Sequence, residues 1–198
     1  MFRLNRLAGG GGWSRVAGVR IREETEADRA AIRDVQTRAF GDDGLVAELV
    51  DALRAARAPL PVQSFVAEED GQVAGHVMLS ASRLDAPLRL VDVYVLSPLG
   101  VAPEYQRHGI GTRLIEHAIA AADSSGVPLL FLEGSPRFYS KRGFERADAA
   151  GFRSPSLRIP EPAFQVVRLS SYEPWMTGTL VYSETFWALD CVGLRDGV

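Results

Sequence analysis

Cysteine is almost missing from this 198-residue chain. Cys191 stands alone, which excludes an internal disulfide framework and a cysteine-built metal cluster. Three scattered histidines supply no metal site either, so none is expected. An excess of one charge is lacking too. Lysine and arginine number 22 against 25 acidic residues, a formal net charge of -3, so no electrostatic case exists for nucleic acid or a membrane as the main partner. No apolar run approaches a membrane span. The amino terminus carries Arg3, Arg6 and Arg15 without the apolar stretch of a secretory signal, and a cytoplasmic protein is expected. Four glycines in a row, Gly9 to Gly12, cannot hold regular structure cheaply, so residues 1–17 read as a disordered arm.

What is present is ordinary globular composition over a length suited to one sizeable core. The division expected is a domain over residues 18–170 and a carboxy-terminal extension over 171–198, packed on the domain or at a subunit contact. Monomer and homodimer both stay open. Val19–Arg22 alternates as a short strand, and Thr25 with Asp28 resembles a capping box ahead of a helix through Ala31, Ile32, Val35 and Ala39. Leu45, Val46, Leu49, Val50 and Leu53 form a second helical stripe. Asp70-Gly71 is a two-residue hairpin signal between Ser64–Glu69 and Gln72–Ser82. Leu90–Val101 then makes a third antiparallel strand. Pro128–Glu133 is a short apolar strand after a helical crossover, and it should lie parallel to the strand carrying Val101. Phe138–Arg142 reads as a short helix, with Phe144–Arg146 and Phe164–Leu169 as further strands. Ala147–Pro162 reads as a long loop, and Gly178–Leu189 as a strand with a packed terminal segment or a contact between subunits.

The stretch from Leu96 to Gly126 carries the functional signal. Pro98 and Gly100 interrupt the strand end, where proline cannot donate to a ladder and glycine marks a bulge or a close approach. The turn Gln106-Arg107-His108-Gly109-Ile110-Gly111 follows. Ile110, Leu114, Ile115, Ala118, Ile119 and Ala122 then repeat with helical period, up to a stop at Gly126. A helix starting at such a turn offers unpaired N–H groups and a positive dipole end to a phosphate, and Gly109 and Gly111 allow close approach. A tight turn alone would explain the same glycines. Neither the lysine of a P-loop nor a third dinucleotide-fingerprint glycine follows; Leu114 stands where that glycine would fall.

Val101 to Gly111 resembles motif A of the GCN5-related N-acetyltransferase (GNAT) superfamily, Q/R-x-x-G-x-G/A. Phe138-Tyr139-Ser-Lys141-Arg-Gly143-Phe144 resembles that family's second signature, about thirty residues downstream. Leu96–Leu99 and Leu132–Pro136 are similar to the bacterial YhbS-like branch. The resemblance implies an α/β (α+β) GNAT fold: a central mixed, mostly antiparallel twisted sheet with a parallel splayed strand pair and helices on both faces. It implies acetyl-CoA as cofactor, held by Leu99, Gly100, Val101, Gln106, Arg107, His108, Gly109, Ile110, Gly111, Thr112, Gly134 and Tyr139. The asparagine common in the second motif is missing, and Ser135 or the Gly134 backbone could replace it. In the family the region of Phe40 and residues 41–44 covers the acceptor.

Acyl transfer from a thioester to an amine needs a polarised carbonyl, a neutral amine and a proton for the departing thiolate. Backbone N–H groups near Leu99–Val101 serve the first need in the resemblance, and Tyr139 serves the last as general acid. The base is unassigned, with Glu133 and Asp92 as candidates and Glu104 read as a solvated or helix-dipole carboxylate. A primary amine is the implied acceptor, a small molecule slightly favoured over protein. A non-catalytic acyl-CoA-binding or scaffolding module with the same fold is the alternative.

Overall fold

The computed structural model describes residues 18–193, so the expected amino-terminal arm lies outside the described residues. A nine-stranded sheet organises the chain. Its strands are β1 (Arg20–Glu23), β2 (Gln63–Glu69), β3 (Gln72–Asp85), β4 (Leu90–Val101), β5 (Leu129–Glu133), β6 (Glu145–Arg146), β7 (Phe152–Arg153), β8 (Phe164–Arg168) and β9 (Gly178–Val181). The helices are α1 (Arg29–Phe40), α2 (Leu45–Ala55), α3 (Ile110–Ser124), α4 (Pro136–Tyr139) and α5 (Glu184–Ala188).

The order β1-β2-β3-β4-β5-β8-β6 is antiparallel except between β4 and β5, while β9 pairs with the far end of β3 and runs parallel to β7. Asp70 and Gly71 both take positive φ, +51° and +77°, as a tight two-residue hairpin requires. Thr25 and Asp28 close the expected capping box. The long loop read over Ala147–Pro162 needs correction, because β7 lies inside it with Phe152 buried against Phe131. Two residues are too few for a periodic signal.

The sheet separates two apolar layers. Ile32, Leu49, Val50 and Leu53 from α1 and α2, with Phe186 from α5, cover one face together with Met78, Val93, Val95 and Phe131. Ile110, Leu114, Ile115 and Ala118 from α3 cover the other with Val77, Leu79, Tyr94 and Leu132. This is the mixed, helix-flanked sheet that the resemblance implied.

The parallel pair is where regularity fails. β4 and β5 share only the register pairs Tyr94↔Leu130 and Val95↔Phe131, although β5 continues to Glu133 against β8. On its other side β4 stays with β3 to Val101, with a register shift that places Leu96 opposite Leu79 but Leu99 opposite Val77. The extra residue falls at Ser97-Pro98. Beyond it the two parallel strands part, leaving a wedge between the end of β4 and the end of β5.

Candidate active site

Strand alternation decides what the wedge contains. Ala102 donates its N–H to the Ala74 carbonyl, so the opposed pair His76–Gly100 is also hydrogen-bonded, while Leu99 and Val101 turn their N–H and C=O away from β3. Those groups face the wedge. Gln106 Nε2 donates to the Val101 carbonyl at 3.0 Å, anchoring the following turn to the strand end.

That turn delivers the start of α3. Arg107 sits at φ +66° and Gly109, at the helix N-cap, at φ +80°. No side chain caps α3, so its first N–H groups stay unpaired at the positive end of a 15-residue helix. A Cβ built on Gly109 would meet nothing within 4 Å, so the N-cap of α3 is open on that side. A pocket of about 550 Å³ opens here, lined by Leu99, Val101, Tyr105, Gln106, Arg107, Gly109, Gly111, Thr112, Phe138, Tyr139 and Arg142.

Arg142 closes the far wall. Its Nε and Nη2 donate to Thr112 Oγ1 at 2.9 and 2.6 Å, Nη1 donates to the Phe138 carbonyl, and its guanidinium stacks 3.7 Å over the Phe138 ring. Among the described residues no carboxylate pairs with it. An unpaired cation beside a helix N-terminus is an arrangement that takes an anion. Tyr139 stands edge-on to both Phe138 and Phe144. Burial pushes its phenol up to about 12, against the opposing pull of Arg142, so it keeps its proton at neutral pH.

Of the sequence-assigned residues, eight meet in this pocket: Leu99, Val101, Gln106, Arg107, Gly109, Gly111, Thr112 and Tyr139. The other four do not line it, although the Ile110 N–H belongs to the uncapped start of α3. Ile110 is buried in the α3 layer, His108 is exposed on the turn, and Gly100 turns towards α1. Gly134 lies under the Tyr139 ring, where a Cβ would come within 2.3 Å of Cε2. Sequence reading missed Tyr105 and Arg142; the basic pair Lys141-Arg142 ahead of Gly143 was the available signal.

Glu133 ends β5 on the opposite face, since Leu132 and Gly134 point to the α3 side. Its oxygens accept from Tyr182 Oη at 2.8 Å and from the Gly193 N–H at 3.1 Å, and burial raises its pKa despite those bonds. Asp42 lies on this side too, where its carboxylate accepts from the Gly44 and Val46 N–H groups at the start of α2. Asp92 sits in the regular half of β4, exposed and 3.5 Å from Arg83. Glu104 is exposed and paired with Arg38.

A family model described as "Acetyltransferase (GNAT) domain" matches residues 20–147. The uncharacterized N-acetyltransferase YjhQ of Escherichia coli K12 is 35% identical over 141 residues, 69% of this chain and 75% of that protein. The crystal structure of the Escherichia coli GNAT family N-acetyltransferase YhbS in complex with CoA superposes with a TM-score of 0.76 at 27% identity, covering 95% of this chain and 98% of that one. A GNAT family acetyltransferase from Brucella melitensis, in complex with acetyl-CoA, gives 0.67 at 32% identity over 85% and 97%.

Proposed function

This chain belongs to the GNAT family of acetyltransferases, and we propose that it transfers the acetyl group of acetyl-CoA to a primary amine by direct attack in a ternary complex. The observation that carries the reading is the continuity of the wedge with the uncapped start of α3: strand groups at Leu99 and Val101 that turn away from β3 run into a pocket whose floor is unpaired N–H. Acetyl-CoA supplies an activated thioester there. The N–H groups over Gly109–Thr112, with Arg107 and Arg142 beside them, hold the phosphates; Gln106 braces the turn. Leu99 and Val101 pair with the amide arm and polarise the acyl carbonyl.

Tyr139 protonates the departing thiolate. Burial keeps the Tyr139 phenol protonated, so a proton stands ready for the thiolate as it departs. The amine enters from the α1–α2 face, where Glu133, raised by burial, is the base candidate. Asp92 is disfavoured because it occupies the paired half of β4. A small-molecule amine fits a chain without a strongly charged docking surface. No helix among the described residues is long and apolar enough to cross a membrane.

Calorimetric titration with acetyl-CoA, with ATP and NAD as controls, tests the cofactor, and a panel of primary amines scored by CoA release tests the reaction. Binding of acetyl-CoA alone is expected; equal binding of ATP would overturn the reading. Tyr139→Phe should then lower kcat by roughly a hundredfold with acetyl-CoA affinity intact. An unchanged kcat would remove the general acid. If the wild-type chain binds acetyl-CoA yet acetylates none of the amines, the non-catalytic module is favoured.

A further inference from the structure

Beneath α1 lies a run of polar side chains that the proposed chemistry leaves unused. Arg54 donates to the two Glu24 oxygens at 2.7 and 3.1 Å, and the Ser64 hydroxyl donates to Glu24 Oε2. His76 Nε2 lies 2.8 Å from Ser64 Oγ, and Gln36 Nε2 lies 2.6 Å from His76 Nδ1. His76 and Gln36 are fully buried. The run ends on an orphan: Gln36 Oε1 is buried with no hydrogen-bond partner. It presses on Gly100, where a Cβ would stand 2.4 Å from it.

The direction of every hydrogen in this run follows from its charged end. Burial works against the Glu24 charge, yet His76 3.6 Å away and the hydrogen bonds from Arg54 and Ser64 outweigh it and lower its pKa to about 2. An ionised carboxylate only accepts, so Ser64 commits its single proton to Glu24. Ser64 Oγ must then accept from His76 Nε2–H. Burial holds His76 neutral, which leaves a lone pair on Nδ1 to accept from the Gln36 amide nitrogen. With its nitrogen engaged, the amide has only its oxygen to turn towards Gly100.

We propose that Gln36 is a positioning residue for the transfer step: Glu24, acting through Ser64 and His76, fixes the negative end of the Gln36 amide against the bulged end of β4. The proposal rests on the acetyl-transfer reading above. An amine nitrogen becomes positive as it attacks, and an oriented carbonyl dipole on the attacking side favours that charge without reorganising. Gly100 belongs to the same device, since a side chain there would occupy the place of the oxygen. An unpaired buried oxygen is costly to keep. Its retention beside the wedge is what this role explains.

The relay can be read without turnover. Nitrogen-15 NMR of the full chain at neutral pH should show His76 as the neutral Nε2–H tautomer. In Glu24→Gln the new amide can donate to Ser64, which frees the serine proton for His76 and reverses the run. The tautomer should then become Nδ1–H. With the best amine from the panel, kcat should fall roughly tenfold while acetyl-CoA affinity stays unchanged. Gln36→Met, which removes the dipole and leaves Glu24 and Arg54 paired, should show the same loss and serves if Glu24→Gln does not fold. A wild-type Nδ1–H tautomer or imidazolium overturns the proposal. So does unchanged kcat in Gln36→Met, or a parallel fall in acetyl-CoA affinity, which would mark structural damage. Failure of wild-type acetyl-CoA binding would instead strike the function itself, leaving the tautomer result standing.

Discussion

The two sides of the bulged half of β4 solve opposite problems, and two glycines record the difference. On the α3 side Gly109 borders empty space, and its missing side chain keeps the helix start reachable. On the α1 side Gly100 borders Gln36, and its missing side chain lets a neighbour close down on the strand. One glycine leaves a space open; the other lets packing close. The same residue type on one motif therefore carries two physical meanings. Local sequence cannot separate them, because the separation depends on which helix lies opposite.

The sharpest way to break this contrast is Gly109→Asp. Side-chain bulk and negative charge would enter beside the start of α3, and acetyl-CoA affinity measured by calorimetry should fall by roughly a hundredfold or more, with some loss of stability because an L residue at φ +80° is strained. Retained affinity would mean that this space is not where the phosphates sit. Gly100→Ala tests the other flank. Its methyl group must displace Gln36, so urea denaturation should show a loss of about 1–3 kcal/mol. A neutral result would show that the α1 flank is not closed. The third test is electrostatic. Folding depresses Glu24 from 4.5 to about 2, so its stabilising contribution is complete above the ordinary value and is lost as pH falls towards 2. The urea midpoint of the wild type should drop through that window, and Glu24→Gln should flatten the drop. Asp28, held low by its Arg22 hydrogen bonds, keeps part of the slope in both proteins.

Much of the sheet was legible in the sequence because its signals are local. Asp70-Gly71 turns within two residues, and β4 runs from Leu90 to Val101 as read. The splaying of β4 from β5 was also foreseeable, since Pro98 and Gly100 disturb one strand and a helical crossover fixes the direction of the other. Most of the pocket wall follows from the same motif. Two things were not readable. β7 is two residues long and exists because β9 lies beside it, so no periodicity announces it. His76 reads as an ordinary strand residue, and only the meeting of β1, β2, α1 and α2 over it makes it part of a relay. Gln36, four residues after Ile32, falls on the inward face of its helix, but its side chain does not announce which partner it meets there. Contacts of that kind join residues forty positions apart, and a single sequence does not disclose them.

The pairing of β9 with β3 has a consequence for how the molecule comes off the ribosome. Residues 83–85 of β3 wait for residues 178–181, made almost a hundred positions later, before that stretch of edge is covered. Just beyond β9, Tyr182 and the Gly193 N–H reach back to Glu133 at the mouth of the wedge. Until this late segment arrives, a nascent chain can build the pocket at the start of α3 but not the hydrogen bonds that hold Glu133. The bonds that hold Glu133 are thus among the last the chain can form, after α1, α2 and the pocket at the start of α3 have all been made.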